Sequence, residues 1–440
     1  MRDNGVKSFS VVSLGCPKNT VDSEVAIGGL TRAGLRYVKD SSEVDLLIIN
    51  TCGFIEPARE EAIETILEAV NLKENGQVKK IAVVGCLVQL YKKELEKEIP
   101  EVDFYLGIDF QKKLVQEFAP EKGYCPDYTD RILMDRGHYA YLKIADGCDN
   151  KCSFCSIPLI KGKQKSRTPE EIAAEVRYLN KLGVKELILV SQDTTRYGVD
   201  LKPQLELPEL LENVLRESDA QWIRLLYCNP DFWADGLINM VRDESRLVKY
   251  FDIPIQHISD SILKSMRRVK MGSEIKELLY RIRAEIPGVA IRTSLLVGYP
   301  GESEKDFWEL LDFVEEFRFE RLGVFTYSPE ENTPAFELGD SIPSQEKENR
   351  RSLLMEKQWE IMEEKAAELK GKRLEVIVDD LEGNFYVGRS QWDAPEIDCI
   401  VKIPKEVELK IGEIYNIEVV DNDGIDIIGK VIKGNNCGGF

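Results

Sequence analysis

The sequence predicts an α/β protein in three parts: an N-terminal parallel βαβ domain, a central partial (βα)6 barrel and a small C-terminal β-barrel. Three observations carry this. Short apolar runs alternate with amphipathic stretches of helix length over residues 8–327, the signature of parallel sheets. From residue 373 the pattern switches to five short alternating strands punctuated by glycine turns. The 440 residues exceed one ordinary domain, and roughly 150 residues per domain suggests about three. The expected boundaries are 1–135, 136–370 and 371–437.

Composition narrows the class. With 59 Lys and Arg against 78 Asp and Glu the net charge is −19, which disfavours phosphate backbones and anionic membranes as partners. No apolar run reaches the roughly 18 residues of a membrane span, and MRDNGVKSFS has no apolar signal core, so a cytoplasmic protein is expected. Ten cysteines in a reducing compartment point to metal or redox chemistry rather than disulfides. Only two histidines, His138 and His257, argue against a histidine-rich centre, leaving thiolates, which suit iron–sulfur clusters or zinc.

In the first part, apolar runs at 8–14, 44–49 and 81–84 end at Cys16, Cys52 and Cys86, with helices expected over 22–33, 57–71 and 89–98. The carboxyl ends of strands in an open parallel sheet share one edge, where ligands bind. Three thiols there could meet and hold three irons of a cubane cluster. They could equally be buried cysteines packing as small hydrophobes.

The strongest signal is Cys148, Cys152 and Cys155 in ADGCDNKCSFC, spaced C-x3-C-x2-C after a strand at 139–144. Three close thiolates can hold three irons of a 4Fe–4S cube. The fourth iron is then free to chelate the amino and carboxylate groups of S-adenosylmethionine (SAM), whose reductive cleavage gives a 5′-deoxyadenosyl radical. A structural zinc knot usually needs a fourth Cys or His close by, and no His follows within a hundred residues.

Five further strands, at 186–190, 222–227, 250–255, 290–297 and 321–327, alternate with helices at 169–182, 208–217, 234–243, 274–286 and 304–317. Polar residues expected at their carboxyl ends are Gln192, Asp193, Asn229, Gln256, His257 and Arg292. Gln192, Gln256 and Arg292 are the candidates for SAM binding. Each of the six could equally cap a turn. His257 is a possible proton-transfer residue or a satisfied histidine at the barrel mouth. The turn GYPG at 298–301 would let backbone approach a ligand. Cys125 and Cys228 read as structural, and the basic run KGKQKSR at 161–167 as a solvated loop, with contact to an anionic substrate as the alternative.

Residues 345–370 form an expected connector helix. The five terminal strands follow, and the third part carries 8 basic against 14 acidic residues. Such a surface fits a basic protein partner, or a packing domain with a solvated face. Cys399 and Cys437 lack partners at ligand spacing, and the tail GNNCGGF reads as disordered.

With these residues in view, the chain resembles the methylthiotransferase branch of the radical SAM enzymes over essentially its whole length, its barrel matching a radical SAM barrel and its last domain a TRAM barrel. SLGCPKNTVDSE (13–24), IRTSLLVGYPGE (291–302), YSPEENTPA (327–335) and GRSQWDAPEID (388–398) resemble the group acting on an aspartate of small-subunit ribosomal protein twelve. The sister group acts on adenosine in transfer RNA, has a different pair in place of Pro17-Lys18, and carries a basic TRAM barrel. The resemblance implies that Cys148, Cys152 and Cys155 hold the SAM-cleaving 4Fe–4S cluster. It implies that Cys16, Cys52 and Cys86 hold an auxiliary 4Fe–4S cluster carrying the sulfur to be inserted at the aspartate β-carbon. It also implies an electron donor such as flavodoxin or ferredoxin, a sulfur donor, and a basic ribosomal protein as substrate, with transfer RNA disfavoured by the acidic barrel. Cys399 and Asn332 stand where the family has glycine, which bears on loop shape rather than on chemistry. A third possibility is a two-cluster electron carrier, for which a barrel and a recognition module are more scaffold than required.

Overall fold

The computed structural model describes residues 5–39, 43–120, 124–134 and 137–432. The tail with Cys437, and with it the end of the expected third part, lies outside the described residues.

The first unit runs β1 (Ser8–Ser13), α1 (Pro17–Arg32), β2 (Arg36–Tyr37), β3 (Val44–Thr51), α2 (Glu56–Glu74), β4 (Val78–Gly85), α3 (Cys86–Glu98), β5 (Phe104–Leu106) and α4 (Phe110–Phe118). Its strands form one parallel sheet ordered β2-β1-β3-β4-β5. The central strand β3 (VDLLIINT) is buried throughout, as a strand covered on both faces must be. Leu46 and Ile48 face one core with Leu30 and Leu114, and Leu47 and Ile49 face the other with Ile66 and Leu95. Helix α1 starts at Pro17 rather than near residue 22, because proline's fixed φ suits the first helical position. Cys16 thereby becomes its N-cap residue, and Cys86 opens α3.

The second unit opens with β6 (Tyr139–Lys143) and a small antiparallel pair, β7 (Ala145–Asp146) and β8 (Lys165–Ser166), with α5 (Ile157–Lys161) between them. It continues α6 (Pro169–Lys181), β9 (Glu186–Val190), α7 (Leu207–Glu217), β10 (Trp222–Leu225), α8 (Gly236–Asp243), β11 (Leu247–Asp252), α9 (Asp260–Ser265), α10 (Gly272–Glu285), β12 (Ala290–Val297), α11 (Glu304–Phe317) and β13 (Arg321–Thr326). The parallel order β13-β12-β11-β10-β9-β6 gives the six-stranded open barrel that the sequence predicts. Side chains alternate along each strand: Ala140, Leu142, Leu187 and Leu189 pack under the helices, while Tyr139, Tyr141, Ile188 and Val190 form a separate core.

Helix α12 (Ser344–Ala367) is the expected connector. After it, β14 (Arg373–Glu382), β15 (Phe385–Ser390), β16 (Val401–Pro404), β17 (Ile414–Asp423) and β18 (Asp426–Val431) close a barrel in the order β14-β15-β16-β18-β17, with β16 and β18 parallel. The third of the five terminal strands, expected from the run IDCIVKI at 397–403, begins only at Val401, because the preceding loop leaves the barrel to dock on the second unit. There Asp398 accepts from the Tyr250 hydroxyl at 2.7 Å and Asp393 pairs with Arg321. Buried Glu186 pairs with both Arg224 and Arg389 at 2.7 Å, tying the same two units together. Within the loop Glu396, not Cys399, takes the left-handed conformation, and Asn332 does so at φ 63°. Among the described residues no helix is long and apolar enough to cross a membrane.

Candidate active site: two thiol triads across one seam

Cys16, Cys52 and Cys86 each follow a strand of the first sheet, at its carboxyl edge. Gly15 sits at φ 91°, and a Cβ there would come within 2.7 Å of the Cys52 Cβ, so only glycine lets the two cysteine loops approach. Asn19 fastens the cradle. Its amide donates to the carbonyls of Leu14 (3.0 Å) and Thr51 (3.3 Å), and its Oδ1 lies 3.9 Å from the Cys86 Sγ. Burial pushes the Cys86 thiol up to about 12, with the Cys16 and Cys52 sulfurs adding to the rise. Burial likewise raises Cys52, with Cys16 contributing. Of the three, Cys86 is buried and Cys16 and Cys52 are half-buried.

The second triad lies in the loop bracketed by β7 and β8. Gly147, at φ 75°, closes the loop where a Cβ would strike the Lys163 carbonyl oxygen at 2.1 Å. The Cys148 amide donates to the Gly162 carbonyl at 3.1 Å. Burial raises Cys148 to about 11 and Cys155 to about 12, and each feels the Cys152 sulfur. Burial raises Cys152 too, opposed by Arg268, whose Nη1 lies 3.9 Å from its sulfur. Thiols this hard to ionise in isolation suit a site whose bound metal supplies the compensating charge. Among the described residues no three Cys, His, Asp or Glu side chains are grouped tightly enough to hold a metal ion, either triad included.

A polar chain wires the barrel mouth to this loop. Asn150 donates to Asp193 (2.6 Å), Asn229 donates to the same carboxylate (3.0 Å), and Arg268 donates to Asn229 (2.7 Å). The predicted Asp193 and Asn229 thus position the loop, while Arg268, which carried no sequence signal, completes the chain. Gln192 donates to Asp146 at 3.0 Å and keeps a buried Oε1 with no partner, an orphaned acceptor beside the cysteine loop. Gln256 sits at the mouth with φ 70°, uncommon for a residue with a Cβ. Arg292 departs from the predicted placement. It is the third residue of β12, and its guanidinium meets Asp252 (3.0 Å) and Asp398 (3.4 Å). The register of the preceding strand, not visible in the pattern, sets it there.

Three other expectations need correction. KGKQKSR is no freely solvated loop: Lys161 and Arg167 are buried by ion pairs, Lys161 with Asp22 and Asp146, and Arg167 with Glu175. Cys125, read as structural, is exposed, whereas Cys228 is buried as expected. The GYPG turn does not offer its first amides to a ligand. Gly298 and Tyr299 donate to Glu302 at 2.6 and 3.2 Å, and the Tyr299 hydroxyl meets Ser153 of the cysteine loop at 2.8 Å. His257 is fully buried, its Nδ1 accepting from the Ser259 amide at 3.0 Å.

One seam joins the triads. Asp22, in the helix capped by Cys16, pairs with Lys143 of β6 and with Lys161, and both lysines reach Asp146, two residues before Cys148. A partial (βα)6 barrel with three thiols after its first strand is the construction of a radical SAM enzyme. Three family models match in order: uncharacterized protein family UPF0004 over 8–107, the radical SAM superfamily over 142–314, and a TRAM domain over 371–432.

Two curated relatives extend this to the whole chain. Both are named ribosomal protein uS12 methylthiotransferase RimO. One from Acetivibrio thermocellus is 44% identical, covering 97% of this chain and 99% of the relative. One from Aquifex aeolicus is 46% identical, covering 96% of each. The chain belongs to the RimO family of radical SAM methylthiotransferases. It is an enzyme, and the family implies SAM and a 4Fe–4S cluster. Among solved structures, the radical SAM methyltransferase TsrM from Kitasatospora setae aligns at TM-score 0.53 with 12% identity, covering 75% of this chain and 77% of that one. The cobalamin-dependent enzyme OxsB aligns at 0.51 with 12% identity, covering 80% and 56%. These two share the fold.

Proposed function

We propose that this enzyme inserts a methylthio group at the β-carbon of an aspartate of ribosomal protein uS12, the substrate class named for its relatives. The observation that carries the reading is the ion-paired seam of Asp22, Lys143, Lys161 and Asp146, which joins the two units that carry the thiol triads. Cys148, Cys152 and Cys155 would hold the SAM-cleaving 4Fe–4S cluster, and Cys16, Cys52 and Cys86 an auxiliary one. Bound there, the first would supply the electron that cleaves SAM reductively, and the second would be the source of sulfur. The chain's own residues position and desolvate. Asn19 shapes the auxiliary cradle, and Arg268 donates toward Cys152. Gln192 and Gln256 are the SAM contacts, and Arg292 braces Asp252 from within the barrel.

The terminal barrel exposes Glu375, Glu382, Glu406, Glu408, Asp421 and Asp423, which suits a basic ribosomal protein and repels a phosphate backbone. The division into catalytic and recognition units follows boundaries 1–135, 136–370 and 371–437. A flavodoxin- or ferredoxin-type electron donor and a sulfur donor complete a cytoplasmic system. The test is mass spectrometry of uS12 after anaerobic incubation with reconstituted enzyme, SAM, sulfide and reductant. The reading expects a gain of ~46 Da, one hydrogen replaced by SCH3, on one aspartate. Unmodified uS12 with SAM consumed would overturn the substrate and make transfer RNA the next one to try.

A further inference from the structure

Lys18 stands apart from the other buried cations of the seam. It is the second residue of α1, two after Cys16, and is 7% exposed. Lys143 and Lys161 each meet two aspartates. Among the described residues, no carboxylate lies within ion-pair distance of the Lys18 ammonium. Its Nζ meets the Ser191 carbonyl at 3.4 Å and lies 3.6 Å from the centroid of the Tyr227 ring. An ammonium has three donors, and one long bond to a carbonyl leaves most of that capacity unused. Burial disfavours the charge, while Tyr227, Cys16 and Asp146 act the other way and prevail, so the ammonium stays charged with donors to spare for a further acceptor.

The neighbours of Lys18 indicate where a further acceptor would come from. Ser191 follows β9 and Tyr227 follows β10, so both sit at carboxyl ends of barrel strands, where a substrate of such a barrel lies. Tyr227 takes φ 59°, a strained conformation for an aromatic residue. It is held there by its amide donating to Asp252 (3.0 Å) and its carbonyl accepting from Thr194 (3.0 Å). That backbone places the ring face against the ammonium, and a ring face favours the charged form without consuming a donor. Lys18 is thus a cation fixed from below, at the mouth of the barrel and beside the first thiol of the N-terminal triad.

We infer that Lys18 receives the side-chain carboxylate of the substrate aspartate and so selects an acidic residue for modification. The inference rests on the proposed uS12 reading and deepens it. Gripping the carboxylate holds the adjacent β-carbon one bond away, between the two triads. A neutral amide or a nucleobase brings no anion to complete the pair.

The test compares uS12 carrying Asp or Asn at the modified position, with reconstituted wild-type, Lys18→Met and Lys18→Arg enzymes. The readouts are kcat and KM for the methylthiolated product and the iron content of each preparation. The wild type is expected to favour Asp by on the order of 100-fold in kcat/KM, the scale of a desolvated charge-assisted contact. Lys18→Met is expected to lose most of that preference through a raised KM for Asp, and Lys18→Arg to keep part of it. A merely structural lysine would lower both substrates together. An unchanged Asp-to-Asn ratio in Lys18→Met overturns the inference and leaves the functional reading standing. Equal kcat/KM for Asp and Asn in the wild type overturns it without need of any variant. Absence of methylthiolated uS12 from the wild type overturns the functional reading, and this inference with it.

Discussion

Asp22 of α1 pairs with Lys143 of β6, and neither side chain is more than 5% exposed. With Lys161 and Asp146 they form a neutral set of two ammonium and two carboxylate groups, taken from both units that carry the thiols. Burial and the two carboxylates act oppositely on Lys143, and the carboxylates win, raising it well above its usual value.

Asp22→Ala leaves two buried ammonium groups sharing one partner. It should destabilise the protein by roughly 3–5 kcal/mol, the scale for breaking a buried pair. Thermal unfolding under anaerobic conditions measures this. Replacing Asp22 and Lys143 together by apolar residues should recover much of the loss. A double variant as unstable as Asp22→Ala would show that the pair does not couple the two units.

His257 makes the fold acid-sensitive. Burial lowers its pKa to about 4, Arg350 pushes the same way, and Asp306 opposes. The folded value lies below the unfolded value of about 6.5, so the neutral ring's contribution is complete above pH 6.5 and is lost as pH falls toward 4. At about 1.4 kcal/mol per unit, the loss is ~3 kcal/mol. Urea unfolding between pH 7 and 4 should show this slope in the wild type and a shallower one in His257→Gln. Parallel curves would remove His257 as the cause.

Arg268 bridges Asn229 and Cys152 and pairs with Asp231 at 3.2 Å. A guanidinium donating to a ligating sulfur stabilises the reduced, more negative state of a bound cluster. Arg268→Leu should therefore lower the reduction potential of the cluster that the second triad is proposed to hold. Spectroelectrochemistry of the reconstituted variant reads the shift, and an unchanged potential would reduce Arg268 to a scaffold contact.

The sequence made some of this plain and hid the rest for physical reasons. Strand–helix alternation and the C-x3-C-x2-C spacing are local patterns, so the six-stranded barrel and the second triad could be read directly. The placement of Cys16, Cys52 and Cys86 at one edge followed from topology, since parallel strands share it. Lys18, Asp22, Lys143 and Lys161 were invisible as a group, because a charged residue in a helix or loop reads as solvated until its distant partner is known. The displaced start of α1 hid in the proline after Cys16. The position of Arg292 depended on strand register and on a loop from the terminal domain, neither of which leaves a mark in hydrophobic periodicity.

The central claim is that the two triads divide the chemistry. The most direct measurement is the product balance of the variant with Cys16, Cys52 and Cys86 all replaced by alanine, reconstituted and supplied with SAM, reductant, sulfide and uS12. The account expects about half the wild-type iron, continued formation of 5′-deoxyadenosine, and uS12 of unchanged mass. Methylthiolated uS12 from that variant would contradict it.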